Sequence, residues 1–214
     1  MAYFPFFVDI GHKEGLIVGG GRVAAQKAEK LIPFGVKLTV IAPEIDERLL
    51  HEPFVSCIQR EFEDSDVEGR FFVVAATADE TLNLHISRLC AERNILVNVV
   101  DDKEKCGFLF PSLVKRGDLV AAVSTGGDSP QIAVKLRQSI EELLPEHVEE
   151  ILDYLAELRI RAKKEITDTS ERHNFLKTAA DLCLRKGDRL TEEETAELVL
   201  KYTGKLSAER LSET

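Results

Sequence analysis

The stretch Leu16-Ile17-Val18-Gly19-Gly20-Gly21-Arg22-Val23-Ala24 constrains the chain more than any other. An apolar run ends in three glycines, and a helical pattern begins at once. Strand, tight turn and helix in that order give the G-x-G-x-x-G/A pattern, with Gly19, Gly21 and Ala24 at the small positions. Gly19 allows a sharp turn, because without a Cβ it reaches positive φ freely. Gly21 allows a pyrophosphate to approach the backbone. Ala24 lets the helix pack closely on the strand. The helix N-terminus then offers unpaired N–H groups and a partial positive charge to phosphates. Three adjacent glycines can also be a plain strand-to-helix turn, so the surrounding elements decide the matter.

Those elements alternate. The periodicity predicts a helix over 23–32, with Ala24, Ala28, Leu31 and Ile32 inward and Gln26, Lys27, Glu29 and Lys30 outward. Pro33 and Gly35 end it. A second strand is expected over 36–42, a third over 54–59 and a fourth over 71–76. A helix follows over 79–93 and a fifth strand over 95–100. The fourth strand is almost wholly apolar, as a strand covered on both faces should be. Residues 1–102 therefore read as a parallel sheet with helices on both faces. Beyond them, strand-like runs at 108–114 and 119–124 flank Lys115-Arg116-Gly117-Asp118, a hairpin signal. Ser129 and Pro130 then form a good N-cap and first helical position for a helix ending near Leu143. Three or four short amphipathic helices are expected from 146 onward, broken near 167–170, Gly187 and Gly204.

Composition narrows the function. The net charge of −10 makes a poor nucleic-acid binder, which needs a basic face. No run approaches the ~20 apolar residues of a membrane span, and the N-terminus lacks signal-peptide features. The four cysteines are scattered without a C-x-x-C pair, and the histidines show no ligand spacing. No metal site is expected, and a reducing cytoplasm is.

The combination of segments resembles the precorrin-2 dehydrogenase family, the NAD-dependent module of siroheme synthases. The matching stretches are Val18–Ala24 with Lys27-Ala28, Leu38–Pro43, Ala75–Thr77 with Asn83, and Val97–Asp102. Most specific is Cys106–Ser112 through Arg116-Gly117, Ala122–Gly127 and Ser129-Pro130. The resemblance covers about residues 3–145. It implies an NAD-binding Rossmann domain at 1–112, a dimerisation region at 113–145 and a helical C-terminal domain at 146–214. It implies NAD-dependent oxidation of precorrin-2 to sirohydrochlorin by a homodimer. Some members also insert ferrous iron to give siroheme, and both capacities stay open here. Uroporphyrinogen methylation is not expected, since no large methyltransferase domain follows.

On this reading the pyrophosphate lies against Gly19, Gly20, Gly21, Arg22 and Val23. The adenine ribose lies near Pro43 and Glu44, with Thr77 at the neighbouring strand end. Glu44 is the nearest acid to the end of the second strand, where a carboxylate holds the ribose of NAD; Arg48 is the nearest cation that could hold an extra phosphate. NAD is favoured on that ground. Asp101 ends the fifth strand at the edge where open α/β sheets bind ligands. A carboxylate in a partly desolvated cleft there suits a proton acceptor; a loop-initiating or capping aspartate is the bland alternative. Asp102 is the weaker candidate. Ser124, Thr125, Arg116 and Arg137 are candidates for the substrate's carboxylates, against ordinary roles as turn and surface residues. Two rivals share the glycine turn. A regulatory module that only senses NAD would have no need of the 110–130 segment, and a methyltransferase would bind a sulfonium cofactor instead.

Overall fold

The computed structural model describes residues 3–203 and divides into two compact units, Met1–Phe110 and Pro111–Thr214. The first unit contains β1 (Glu14–Val18), α1 (Arg22–Leu31), β2 (Lys37–Ile41), α2 (Glu47–Leu50), β3 (Val55–Ile58), β4 (Phe72–Ala75), α3 (Glu80–Glu92) and β5 (Leu96–Val99). All five strands are parallel and run in the order β3-β2-β1-β4-β5. This is a Rossmann-type sheet. The order reverses between β1 and β4, and such a switch point opens a crevice at the carboxyl ends of the strands.

The inner strands are apolar on both faces because helices cover both. Ile17, Leu38, Val40, Phe72 and Val74 pack against Ala24, Ala25, Ala28 and Leu31 of α1. Leu16, Val18, Val73 and Ala75 pack against Ile86, Leu89 and Cys90 of α3 on the other face. Ala24 is fully buried, as the close helix-on-strand contact requires. Pro33 and Gly35 stop the helical run as expected, with Gly35 in the left-handed region at φ 70°.

Two expectations need correction. The run 108–114 is not one strand. Residues 106–110 pass beside β5 with bends at Gly107 and Phe108, and place Phe108 and Phe110 on the α1 face and Leu109 on the α3 face. The alternation imitates a strand. Gly107 N–H does donate to Val97 O at 2.7 Å, but no ladder forms. Lys27 also departs from the outward position read from the periodicity: it is half-buried, with Nζ 4.2 Å from the centre of the Phe110 ring.

The second unit begins with β6 (Ser112–Arg116) and β7 (Leu119–Val123), an antiparallel hairpin. Arg116 pairs with Leu119, so Gly117 and Asp118 alone make the turn. α4 (Pro130–Leu143) packs on this hairpin, and Ser129 Oγ accepts from Ile132 N–H as its cap. α5 (Val148–Glu165), α6 (Thr169–Lys186) and α7 (Glu192–Thr203) then share a core centred on Phe175, Ile151 and Leu158. The breaks fall where the sequence put them, at Asp168, which caps α6, and at Gly187, which closes it at φ 75°. Gly204 lies outside the described residues.

Candidate functional site

The carboxyl edge of the five-stranded sheet collects the first-unit residues singled out above. The three glycines of the first turn do different work. Gly19 lies at φ 116°, and a Cβ there would sit 2.3 Å from Ala76 O. The turns after β1 and β4 thus touch across the switch point. A Cβ on Gly20 would sit 2.0 Å from Glu44 O, because the loop after β2 closes onto this turn; Asp46 N–H donates to Gly20 O at 2.8 Å. Gly21, the N-cap of α1, has an ordinary φ of −82° and nothing within 4 Å of a built Cβ.

The first turn of α1 carries no acid, and no side chain caps it. A Cβ on Gly21 would point into open space among the described residues, and Arg22 and Val23 are exposed alongside. An uncapped N-terminus next to a glycine with room to spare fits an anion such as a pyrophosphate. A second polar atom also looks for a partner. Asn98 on β5 is 5% exposed; its Nδ2 donates to Phe108 O at 2.9 Å, while Oδ1 has no partner among the described residues. These features fit a dinucleotide.

Around this edge the other predicted residues divide. Pro43 and Glu44 are exposed beyond β2, and it is the Glu44 carbonyl that presses on Gly20. Asp46, which the sequence reading passed over, is the acid joined to the glycine turn. Its signal was visible as an N-cap before α2: its side chain accepts from Arg48 N–H and holds the Arg48 guanidinium at 3.0 and 2.9 Å. That hydrogen bonding draws the Asp46 carboxyl down to about 2. Glu29 approaches the same guanidinium at 3.5 Å. Thr77 is locked by buried Asn83: Thr77 Oγ1 donates to Asn83 Oδ1 at 2.8 Å, and Asn83 Nδ2 returns a bond to Thr77 O at 3.0 Å.

Asp101 follows β5 at φ 61°, a left-handed conformation that aspartate tolerates better than most residues. It is exposed, not sunk in the partly desolvated cleft that the sequence suggested. Among the described residues nothing hydrogen-bonds to it. Asp102 differs: Lys105 Nζ binds its carboxylate and holds it below the usual range.

In the second unit Gly126 N–H donates to Ser124 Oγ at 3.1 Å. The Thr125 hydroxyl is used twice within its loop, donating to Ser129 O at 3.0 Å and accepting from Ser129 N–H at 3.1 Å. Arg116 and Arg137 converge on Glu141, Arg116 at 3.7 Å and Arg137 as a direct hydrogen bond. Two cations thus share one carboxylate. Among the described residues no group of three His, Cys, Asp or Glu is placed to hold a metal, and no helix is long and apolar enough to cross a membrane.

Residues 6–112 match the NAD_binding_7 family, described as "Putative NAD(P)-binding". The chain belongs to this NAD(P)-binding family. It is also similar to a siroheme synthase of Thioalkalivibrio sulfidiphilus, 40% identical over 178 residues, covering 82% of this chain and 36% of the relative. A siroheme synthase of Enterobacter sp. is 35% identical over 208 residues, covering 94% of this chain and 46% of the relative. The chain therefore spans less than half the length of these curated relatives. The fold matches a solved structure, SirC, precorrin-2 dehydrogenase, with a TM-score of 0.73 over 95% of this chain and 100% of that one, at 21% identity.

Proposed function

We propose that the protein is an NAD-dependent dehydrogenase that oxidises precorrin-2 to sirohydrochlorin, with Asp101 as the proton acceptor. The observation that carries this reading is the contrast at the end of β5. Asp102 is occupied by Lys105, while among the described residues Asp101 stands without a hydrogen bond at the sheet edge that also holds the glycine turn. The similarity to siroheme synthases over 82–94% of the chain supports the substrate class.

The nicotinamide, when bound, supplies the hydride acceptor. Oxidising the macrocycle by two electrons removes that hydride and one proton, and the proton passes to the Asp101 carboxylate. Gly21 and the N–H groups of α1 hold the pyrophosphate. Arg22 and Val23 flank it, and the loop from Pro43 and Glu44 to Asp46 borders the adenine ribose. NAD is preferred to NADP because Arg48, the cation nearest that loop, is already held by Asp46 and Glu29. A 2′-phosphate would have to displace one of those carboxylates. Ser124, whose hydroxyl proton is not spent in its loop, and the Arg116–Arg137 pair, which keeps one positive charge beyond Glu141, bind substrate carboxylates. Ferrous iron is a second substrate at the same sheet edge, with Asp101 taking protons from the pyrrole nitrogens as the metal enters.

The working protein is a homodimer joined through 113–145. A two-stranded hairpin leaves both edges unpaired, and such a pair is marginal alone. Ile132, Leu136 and Leu143 of α4 are 53%, 50% and 82% exposed, an apolar surface that a second copy would cover. The test is to supply precorrin-2 with NAD or NADP and follow reduced dinucleotide, then add ferrous iron. Turnover that depends on precorrin-2 and is faster with NAD is expected. Dinucleotide binding without turnover would point to a sensing module instead.

A further inference from the structure

We infer that Lys27 is a receptor for a carboxylate of the substrate, set beside the proposed base Asp101. This rests on the tetrapyrrole reading above and adds a contact in the first unit.

Lys27 lies on α1 between Ala24, Ala28 and Leu31, the residues that pack on the sheet. Helical spacing puts it at the margin of that buried stripe. Side chains on a helix lean toward its N-terminus, and the N-terminus of α1 meets the carboxyl edge of the sheet. The Lys27 chain therefore runs toward the edge where Asp101 leaves β5. Its ammonium lies over the face of Phe110 at 4.2 Å, close enough for a cation–π contact. The ring fixes where the charge sits without neutralising it.

The electrostatics of this lysine are unusual. It is half-buried, and no carboxylate forms an ion pair with it among the described residues. Burial and the neighbouring Lys30 push its pKa down, while Cys106 and Asp101 pull it up. Of those last two, Cys106 supplies no charge near neutral pH, since burial raises its thiol above 9.0. Asp101 is then the carboxylate whose charge reaches the ammonium, weakly and without closing a salt bridge. A half-buried cation that no carboxylate of the described residues contacts directly gains from an anion delivered to it. The candidates in the second unit differ: Arg116 and Arg137 already share Glu141, and Lys115 donates to Gly117 O. A macrocycle rimmed with carboxylates can place one on Lys27 and so bring its ring edge to Asp101. A phosphate of the dinucleotide is the other anion within the same chemistry.

The test measures sirohydrochlorin and NAD binding to the full chain and its Lys27→Met, Lys27→Gln and Lys27→Arg variants. Loss of one charge-assisted hydrogen bond should weaken sirohydrochlorin binding about 10- to 100-fold in the Met and Gln variants. The Arg variant should recover most of it, and NAD binding should not change. Having two neutral variants keeps the test open if one misfolds. Unchanged sirohydrochlorin binding in the neutral variants overturns the inference and assigns Lys27 to packing. Lost NAD binding with intact sirohydrochlorin binding overturns it in favour of a cofactor phosphate. If the wild type binds NAD but no sirohydrochlorin, the functional reading fails in the parent protein, and this inference falls with it.

Discussion

Gly20 and Gly21 are neighbours of the same residue type, yet the structure predicts different outcomes for Gly20→Ala and Gly21→Ala. A methyl on Gly20 would be placed 2.0 Å from Glu44 O, a backbone atom tied in turn by the Asp46 N–H to Gly20 O bond. The loop cannot give without breaking that link. Overpacking of this kind costs about 1–3 kcal/mol. In a chain of this size that is about 2–12 °C of melting temperature. The Gly20→Ala protein should melt lower by that amount with or without ligand. Gly21→Ala meets nothing within 4 Å, at a φ of −82° that alanine adopts readily. Its melting temperature should change less than that of Gly20→Ala, because alanine restricts the unfolded chain but is the poorer N-cap. The overpacking penalty appears only when a pyrophosphate needs the space. The same 1–3 kcal/mol then becomes a roughly 5- to 150-fold loss of NAD affinity. Thermal unfolding and NAD titration on both variants separate the two effects. If Gly21→Ala bound NAD as tightly as the wild type, the placement of the pyrophosphate would be wrong. Equal destabilisation by both variants would refute the division of labour within the turn.

Asn83→Ala should cost about 1–3 kcal/mol in thermal or urea unfolding, because it strips the partners from Thr77 at a buried position, and NAD affinity should fall with it. Asp66 is held below its ordinary 3.8, first by the Arg60 guanidinium at 2.6 and 2.8 Å. Its folded pKa is depressed, so its stabilisation is complete above about pH 4 and is lost as pH falls through the folded value. Asp66→Asn should flatten the acid limb of the stability profile and leave the slope above pH 5 about unchanged. Light scattering at micromolar concentration should give twice the protomer mass, and Leu136→Glu should reduce it to the protomer; a stable wild-type monomer would contradict the proposed dimer.

The parallel sheet was legible because covered strands leave long apolar runs and because Pro33, Gly35 and Asp79 punctuate them. Tertiary closeness was not. The pattern named Gly19 and Gly21 for their roles in the turn and placed Gly20 only against the pyrophosphate, since nothing local shows that the loop after β2 closes onto it. Asp46 was not singled out in the sequence; it caps α2, and that it also anchors the turn through its backbone N–H depends on a contact 26 residues away. Phe108-Leu109-Phe110 has the alternation of a strand because it does present alternate residues to two faces, and sequence pattern cannot tell whether a ladder accompanies them. Lys27 looked outward because a lysine at the margin of an apolar stripe normally reaches solvent. Only the Phe110 ring, brought from the far end of the unit, turns it inward.

The central claim is that a carboxylate at the end of β5 accepts the proton when the macrocycle is oxidised. It is tested most directly by the rate of NADH formation from precorrin-2 in Asp101→Asn and Asp102→Asn proteins. A missing general base typically costs about 10²- to 10⁴-fold. The account predicts a loss in that range for Asp101→Asn, with NAD affinity and dimer mass unchanged, and a much smaller loss for Asp102→Asn, whose carboxylate is already engaged by Lys105. Near-normal turnover in Asp101→Asn, with the loss falling on Asp102→Asn or on neither, would contradict it.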